Sequence, residues 1–278
     1  MFDQVTIVGL GLIGGSLGMA IRRHRLAKEI IGVSRREATL RLAKRRGAIT
    51  AGTTDVRRAV RDADLVILAV PVDDIVPLAR RAARLMRPGS ILTDVGSTKR
   101  MIVSRAEPAM PRGVAFVGGH PIAGSEQSGI EAAAPDLFRG AACVLTPTRQ
   151  THPAALRRVA SFWRALGARV VLMSPAQHDR VLAASSHVPH LLAAALAHTA
   201  ETHPLPRAPR SFLEMTRIAR SQPELWTQIF LSNPAEILAA AGRVDRTWTA
   251  LCSAIRQGDR ARLRQLLASA QSKRDALD

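Results

Sequence analysis

Near its amino end the chain reads Val5-Thr6-Ile7-Val8-Gly9-Leu10-Gly11-Leu12-Ile13-Gly14-Gly15-Ser16. The β-branched run that ends at Gly9 is typical of a buried parallel strand, and residues 12–22 can continue as a helix. The glycines fit the spacing G-x-G-x-x-G, in which the first allows a tight turn, the second lets a phosphate approach the backbone, and the third lets the helix pack on the strand. The stretch therefore predicts a strand, a glycine turn and a helix whose N-terminus can bind phosphate groups.

A second apolar strand follows this helix, at Glu29-Ile30-Ile31-Gly32-Val33. The three elements form a βαβ unit of the size that dinucleotide-binding folds use, so we expect a dinucleotide site rather than a tight turn without a ligand. A signal peptide is a further alternative, but five glycines in residues 5–21 and the acidic Asp3 before them argue against export and membrane insertion. The residues expected to line the site are Gly9, Gly11, Leu12, Ile13 and Gly14.

The 278-residue chain carries a formal net charge of +18. This charge suggests nucleic acid as a partner, but the basic residues are scattered along predicted helices, as in Arg22-Arg23 and Lys44-Arg45-Arg46, and aromatic residues make up only 3% of the chain. Such a distribution is typical of solvated helix faces, so we expect no nucleic-acid function. The overall field instead favours anionic substrates and cofactors.

The two cysteines, Cys143 and Cys252, lie far apart in sequence, in apolar surroundings and without metal-ligand spacing. They predict reduced core residues in a cytoplasmic protein. No uncharged run suits a membrane helix better than the glycine-rich start, so we expect a soluble protein without a membrane partner.

The end of the second strand bears on the choice of cofactor. Ser34-Arg35-Arg36 stand where an NAD-preferring fold usually has an acidic residue for the ribose 2′-hydroxyl. A hydroxyl and two guanidinium groups suit a 2′-phosphate, so we expect NADP to be favoured over NAD; an ordinary polar loop is the alternative. A later strand ends at Val70-Pro71, and both residues are expected to line the same site because ligands bind at the carboxyl ends of parallel strands.

Two further strands run into loops that are expected to reach the same crevice. The strand over residues 90–94 leads to Ser97, and the strand at Phe116-Val117 opens into a glycine-rich loop with His120 and Glu126. A lone loop histidine is more often a surface residue, but this position favours function. The last strands are expected at residues 142–146 and 169–173, with a helix over 153–166 between them.

From Pro175 onwards the pattern is helical, with no convincing strand. We therefore expect a dinucleotide-binding domain over residues 1–174 and a helical substrate and dimerisation domain over residues 175–278. The fold class is α/β, a Rossmann-type doubly wound sheet followed by an all-α C-terminal domain. Apolar helices at 223–232, 234–257 and 259–276 are expected to bury surface against a second subunit, which predicts a homodimer.

The helical half also contains candidate binding side chains. A helix over residues 177–199 is expected to be kinked by Pro189. His187 and His190 can share a face towards the crevice, with a buried hydrogen-bonded histidine as the alternative, and no metal site is expected because no third ligand accompanies them. After a proline-rich connection at 202–209, Arg217 can form a surface pair with Glu214 or, steadied by Glu214, reach a substrate carboxylate.

With these residues assembled, the chain resembles the prephenate/arogenate (cyclohexadienyl) dehydrogenase family over nearly its whole length. The first matching motif is generic, whereas the other four, in this order, are specific. The motifs are Gly9-Leu10-Gly11-Leu12-Ile13-Gly14-Gly15-Ser16, Asp94-Val95-Gly96-Ser97-Thr98-Lys99, Gly119-His120-Pro121-Ile122-Ala123-Gly124-Ser125-Glu126, Ser186-His187-Val188-Pro189-His190 and Thr216-Arg217-Ile218-Ala219.

The resemblance implies the oxidative decarboxylation of prephenate to 4-hydroxyphenylpyruvate, or of arogenate to tyrosine, in tyrosine biosynthesis. A hydride leaves the ring carbon that bears the hydroxyl for the nicotinamide, and carbon dioxide departs. His120 matches the family's histidine that accepts the hydroxyl proton, and Ser97 is expected to form a hydrogen bond near the same hydroxyl. The positions matching the family's substrate-binding residues are Ser125, Glu126, His187, His190 and Arg217.

The chain departs from the family pattern at a few positions. Ile122 and Val188 replace the commoner methionine and leucine, and Ser34 replaces the acidic residue of NAD-using relatives. The arogenate-specific relatives lack the second histidine of the pair, so the retention of His190 together with Glu126 favours prephenate over arogenate as the small anionic substrate.

Two other classes of protein compete with this interpretation. A β-hydroxyacid dehydrogenase would be expected to carry a catalytic lysine in the helical domain, and residues 177–199 contain no lysine. A non-catalytic NADP-binding module would not need His120, Ser97 and Arg217 together. The sequence therefore favours an NAD(P)-dependent dehydrogenase.

Overall fold

The computed structural model describes residues 1–124, 127–200 and 209–277 of the chain. Its strands are β1 (Phe2–Val8), β2 (Ala27–Val33), β3 (Ala51–Thr53), β4 (Leu65–Leu68), β5 (Ile91–Asp94), β6 (Ala115–Val117), β7 (Gly119–Pro121), β8 (Ala142–Leu145) and β9 (Arg169–Leu172). Its helices are α1 (Leu12–Arg23), α2 (Glu37–Arg45), α3 (Val56–Val60), α4 (Val72–Ala83), α5 (Arg100–Ala106), α6 (Pro153–Ala165), α7 (Pro175–Leu182), α8 (Val188–His198), α9 (Arg210–Thr216), α10 (Pro223–Ser232), α11 (Pro234–Gln257) and α12 (Arg260–Asp275).

The first six strands form one parallel sheet in the order β3-β2-β1-β4-β5-β6. Two clusters of buried apolar side chains form the core, one including residues of α1 and α6 and the other residues of α3, α4 and α5. β1 lies between β2 and β4, so the strand order reverses at its carboxyl end. This is the Rossmann-type doubly wound sheet that the sequence predicts, and its reversal point is where such sheets bind ligands.

The chain then forms a second sheet in the order β7-β8-β9, with β7 antiparallel to β8 and β8 parallel to β9. The last two predicted strands therefore belong to this small sheet and not to the parallel one. The expectation that His120 lies in a loop is wrong, because His120 lies in β7 opposite Val144. Three residues that include Gly119 and Pro121 carry no strand signal of their own, and only pairing with β8 reveals them as a strand.

In the part of the chain that the structure describes, every regular element after β9 is helical, as predicted. Ser174 caps α7 by accepting a hydrogen bond from Gln177 N at 3.1 Å. The division of the chain at this point into two domains stays a prediction.

A π-helical turn precedes Pro189, where the sequence predicts a proline kink. Residues Ala183–His187 form a π-helical turn between α7 and α8, and Pro189 lies in the first turn of α8. Helical residues precede Pro189 without a break, so its missing N–H removes one backbone hydrogen bond of the run. The helix therefore absorbs the proline through a wider turn, a feature that is frequent at functional sites.

One helical run, Pro175–His198, is long and apolar enough by composition alone to cross a membrane, and 28% of the window that meets this test is buried. This run overlaps the helix predicted over residues 177–199, which was not expected to be a membrane span. Its first turns are tied to the nucleotide-binding half through the side chain of Asp179, which accepts hydrogen bonds from the backbone of Lys99 and Arg100. The predicted connection at residues 202–209 lies outside the described residues except for Pro209.

Candidate active site

The glycine turn after β1 fits a bound dinucleotide. Gly9 adopts a φ of +96°, and a Cβ there would lie 2.1 Å from the carbonyl oxygen of Ala69 at the end of β4. A Cβ on Gly14 would lie 1.9 Å from the carbonyl oxygen of Gly9, so α1 can pack this closely only through glycine. A Cβ on Gly11 would meet nothing within 4 Å, and no side chain caps the start of α1. The second glycine thus faces open space beside free N–H groups, where a pyrophosphate can approach.

This difference between the glycines gives a testable prediction. We expect Gly11→Ala to melt like the unaltered protein yet to bind NADP about tenfold more weakly, a loss of about 1.4 kcal/mol, because the methyl group fills the phosphate's space. Gly14→Ala is the matched control and should instead lose about 1–3 kcal/mol of stability through overpacking. Thermal melting and calorimetric titration with NADP measure both effects, and tight NADP binding by Gly11→Ala would remove this turn from the cofactor site.

The other residues predicted to bind the cofactor lie at the same edge of the sheet. Leu12 and Ile13 form the partly exposed first turn of α1. Val70 follows β4 beside Gly9, and the exposed Pro71 caps α4. Ser34, Arg35 and Arg36 follow β2, where the Ser34 hydroxyl accepts a hydrogen bond from Arg36 N at 3.3 Å and both guanidinium groups are on exposed residues.

Asp94, at the end of β5, connects the two segments that carry the candidate catalytic side chains. Its carboxylate accepts hydrogen bonds from Gly96 N at 2.9 Å and from Gly119 N at 3.2 Å, and it forms an ion pair with Lys99. Both side chains of the pair are 0% exposed. Because Gly96 precedes Ser97 and Gly119 precedes His120, one buried carboxylate anchors both segments.

Ser97 and His120 are partly exposed at the carboxyl ends of neighbouring strands, on the edge that also carries the glycine turn. His120 Nδ1 lies 2.9 Å from His178 Nε2, and His178 Nδ1 lies 2.7 Å from Asp179 Oδ1. His178 and Asp179, on α7, are both buried. Burial, the neighbouring imidazole groups of His178 and His187 and the positive charge of Lys99 hold the pKa of His120 well below its usual value. A histidine that stays neutral is ready to accept a proton.

The two histidines of the helical half occupy different surroundings. His187 is buried and lies 3.5 Å from Asn233 Nδ2, and burial lowers its pKa to about 4. The ring of His190 stacks on Trp226 with centroids 3.4 Å apart. Burial lowers the pKa of His190, with a contribution from the positive charge of Arg217, which places that exposed arginine close to His190.

The ion pair that the structure describes for Glu214 is with Arg210, one turn earlier, whose Nε donates to the carboxylate at 2.7 Å. The pairing of Glu214 with Arg217 stays a prediction. Ser125 and Glu126 lie outside the described residues.

Cys252, predicted to be a core residue, is only partly buried, whereas Cys143 is buried. Among the described residues, no group of three or more histidine, cysteine, aspartate or glutamate side chains could hold a metal ion.

Sequence reasoning missed four buried polar residues that organise the site: Asp94, Lys99, His178 and Asp179. The first two lie in the motif quoted around Ser97, yet nothing in the motif says that their side chains pair. The last two form a His-Asp dipeptide in α7, directly after the last strand, between Gln177 and Arg180. Because these neighbours are polar as well, nothing in the sequence distinguishes the buried pair from a solvated helix face.

The glycine turn, the doubly wound sheet and the helical half whose His178 contacts His120 define an NAD(P)-dependent dehydrogenase. Two family models match the chain, "Prephenate dehydrogenase, nucleotide-binding domain" over residues 17–172 and "Prephenate dehydrogenase, dimerization domain" over residues 174–269. The chain belongs to the prephenate dehydrogenase family. This assignment replaces the β-hydroxyacid dehydrogenase and non-catalytic alternatives.

Individual relatives agree with this assignment. The chain is 36% identical to the prephenate dehydrogenase of Bacillus subtilis, over 100% of this chain and 76% of that protein. It is similar to the crystal structure of A. aeolicus prephenate dehydrogenase in complex with hydroxyphenyl propionate and NAD+, with a TM-score of 0.92 and 31% identity over 100% of this chain and 99% of that one. Synechocystis arogenate dehydrogenase matches with a TM-score of 0.84 and 31% identity over 99% and 100% of the two chains.

Proposed function

We propose that the protein converts prephenate to 4-hydroxyphenylpyruvate and carbon dioxide, with hydride transfer to NAD(P). The observation that carries the proposal is the position of His120, a partly exposed residue on the sheet edge that also carries the glycine turn. Its Nδ1 contacts His178, which leaves Nε2 for a substrate hydroxyl. Membership of the prephenate dehydrogenase family supports it. Arogenate is the second candidate substrate, because a similar structure is that of an arogenate dehydrogenase.

The residues present suit the steps of this reaction. A bound nicotinamide supplies the hydride acceptor. His120 takes the proton of the 4-hydroxyl as the ring carbon loses its hydride, and it returns the proton when loss of carbon dioxide makes the ring aromatic. Ser97 binds beside the same hydroxyl. The protein chiefly aligns the ring with the cofactor and excludes water, since aromatisation drives the step.

The substrate's two carboxylates need cations or donors on the other side of the crevice. Arg217 offers a planar pair of donors suited to a carboxylate, and His187 and His190 lie on the helix beside it. We assign Arg217 and His190 to carboxylate binding, and Ser125 and Glu126 to the remaining wall of the substrate site. His187 is only 1% exposed, so we assign it to the substrate site as a residue that acts through its neighbours.

The initial rate of nicotinamide reduction tests this proposal on a grid of prephenate or arogenate with NAD or NADP. Activity with prephenate and little with arogenate supports the assignment. Activity on both substrates makes the protein a broader cyclohexadienyl dehydrogenase, and activity on arogenate alone would overturn the preference for prephenate. No activity with any pair, while the cofactor still binds, would contradict the function itself.

We propose that NADP is favoured over NAD, because the exposed Arg35 and Arg36 follow the small Ser34 at the end of β2. Ser34→Asp is expected to shift the ratio of kcat/KM values for NADP and NAD by about tenfold or more towards NAD, since the carboxylate repels a 2′-phosphate and binds a 2′-hydroxyl. Ser34→Ala is the matched control without a charge. An unchanged ratio in Ser34→Asp would mean that this loop does not choose the cofactor.

Arg217→Ala is expected to raise the KM for prephenate with a smaller change in kcat. Losing a charge-assisted bond to a carboxylate costs about 1.5–3 kcal/mol, which is about 10- to 150-fold in binding. Arg220→Ala, a neighbouring exposed arginine, serves as the control. A normal KM in Arg217→Ala would make Arg217 a surface residue without a role in binding.

We also propose a homodimer formed through the helical half, in a cytoplasmic protein with domains over residues 1–174 and 175–278. The matching family model names this half a dimerization domain. Large apolar side chains there are exposed in the single chain, among them Leu231 at 75%, Leu238 at 69% and Trp248 at 66%. Exposed apolar residues of this size favour a protein contact. The mass in solution, measured by light scattering, tests the dimer.

A further inference from the structure

A row of hydrogen-bonded side chains ends at His120. It consists of His120, His178 and Asp179, joined by the Nδ1–Nε2 contact of 2.9 Å between the two rings and the Nδ1–Oδ1 contact of 2.7 Å to the carboxylate. His178 and Asp179 are each 0% exposed, so neither can touch the substrate. They lie on α7 of the helical half, whereas His120 lies on β7 of the nucleotide-binding half.

We propose that His178 and Asp179 are positioning residues that hold His120 in the tautomer with its hydrogen on Nδ1, so that Nε2 faces the substrate as an acceptor. The inference rests on the proposed function, since it concerns the orientation of the base in that reaction.

Asp179, at the end of the row away from His120, determines which nitrogen of each histidine carries the hydrogen. Asp179 Oδ1 accepts a hydrogen bond from Lys99 N at 2.7 Å, and Oδ2 accepts one from Arg100 N at 2.9 Å. A carboxylate held in this way only accepts, so the hydrogen between Asp179 and His178 lies on His178 Nδ1. In a neutral ring His178 Nε2 is then the acceptor, and the hydrogen between the two rings must lie on His120 Nδ1.

The charges around the row keep both rings neutral and the carboxylate ionised. Burial and the positive charge of Lys99 lower the pKa of His178 against the opposing effect of Asp179, and they lower that of His120 further. Burial alone would raise the pKa of Asp179, but its hydrogen bonds from His178, Arg100 and Lys99 outweigh burial and lower it. His187 and the ion pair of Lys99 with Asp94 are the other ionisable groups that act on the row.

The row also suits the change of charge during the reaction. When His120 Nε2 takes the hydroxyl proton, the ring becomes a cation whose Nδ1–H already points to His178. The negative charge of Asp179 at the end of the row then stabilises that cation, as a buried aspartate does for the histidine of a serine hydrolase. No rearrangement of the row is needed before the proton moves.

Long-range proton–nitrogen correlation of the histidine rings in the unliganded protein tests the tautomer directly. The His120 signals are assigned by their loss in His120→Asn. We expect the ring hydrogen of His120 on Nδ1 in the unaltered protein, and we expect this preference to be lost in His178→Leu, which offers Nδ1 no acceptor. A hydrogen on Nε2 in the unaltered protein would overturn the proposal.

Kinetics supply a second readout. Asp179→Asn is expected to lower kcat by about 10²–10⁴-fold with little change in KM or in the dissociation constant of NADP. Ser232→Ala is the control: it removes the 3.0 Å hydrogen bond between Thr98 and Ser232, another contact between the two halves, without touching the row. Its kcat should stay close to that of the unaltered protein. A similar small effect in both variants would contradict the positioning role.

Two variants at His178 test the same role independently if Asp179→Asn does not fold. The amide oxygen of His178→Gln can still accept from His120 Nδ1, whereas His178→Leu offers no acceptor. We expect the glutamine variant to keep a higher kcat than the leucine variant, and equal rates would overturn the proposal. An unaltered protein without activity on prephenate or arogenate would contradict the proposed function and leave the tautomer measurement valid, so the two failures are distinguishable.

Discussion

His120→Asn lowers kcat by about 10²–10⁴-fold if His120 is the base, which is the usual contribution of a positioned proton acceptor. Asparagine can keep the contact that His120 makes with His178, so the fold and the dissociation constant of NADP should change little. The missing group is the second ring nitrogen, which in the proposed reaction takes the hydroxyl proton. Stopped-flow or steady-state rates of nicotinamide reduction measure the effect, and calorimetric titration measures cofactor binding.

His24→Asn is the control for this substitution. His24 is exposed and lies just after the end of α1, away from the glycine turn at the helix start. Its replacement should leave both kcat and NADP binding at their normal values. Unchanged turnover in His120→Asn would remove His120 from the role of base, and a parallel loss of NADP binding would point to a damaged cofactor site instead.

Lys99→Met is expected to reduce the free energy of unfolding by about 3–5 kcal/mol, the usual cost of removing one partner of a buried ion pair. The carboxylate of Asp94 would stay buried with only the N–H groups of Gly96 and Gly119 to compensate it. The double variant Asp94→Asn/Lys99→Met leaves no uncompensated charge and should recover part of the loss. Urea unfolding followed by circular dichroism measures all three proteins.

Arg210→Met is the matched control, because it breaks an ion pair whose side chains are 91% and 62% exposed. Such a surface pair contributes about 0–1 kcal/mol. A Lys99→Met chain that fails to accumulate in soluble form represents the extreme of the expected result. Equal losses in Lys99→Met and Arg210→Met would contradict the idea that the Asp94–Lys99 pair holds the site together.

The sequence predicted the elements that depend on local signals. The glycine turn, the apolar strands of the parallel sheet and the helices that begin at Pro223 and Pro234 are set by residues within a few positions. The two helices begin at the predicted prolines, whereas β1 and β2 begin at Phe2 and Ala27, two or three residues before the predicted stretches. β7 and β3 have three residues each and no pattern of their own, so they exist only because longer strands pair with them.

The site was predictable as a set of residues but not as a network. Ser97 and His120 follow strands whose carboxyl ends meet at one edge, and this could be inferred from chain order. The contact of His120 with His178 joins residues 58 positions apart, and that of Lys99 with Asp179 joins residues 80 apart. Neither periodicity nor spacing reports such pairs, since they arise only when the helical half packs on the sheet.

Trp226 illustrates the same limit from the helical side. The pair His187 and His190 was visible in the sequence, but the stacking of His190 on Trp226 depends on how α10 packs beside α8. The choice between a metal ligand and a binding side chain could be argued from the absence of a third ligand in the sequence. The stacking of the His190 ring on Trp226 could not be inferred from the sequence.

The coupling of oxidation to decarboxylation is the central claim, and prephenate labelled with ¹³C at its ring carboxylate tests it most directly. The measurement compares the amount of labelled carbon dioxide with the amount of reduced nicotinamide, at mildly alkaline pH and against a control without enzyme. The proposed function predicts one molecule of carbon dioxide for each nicotinamide reduced, with 4-hydroxyphenylpyruvate as the product. Reduced nicotinamide without labelled carbon dioxide, or no reduction although the cofactor is bound, would contradict it.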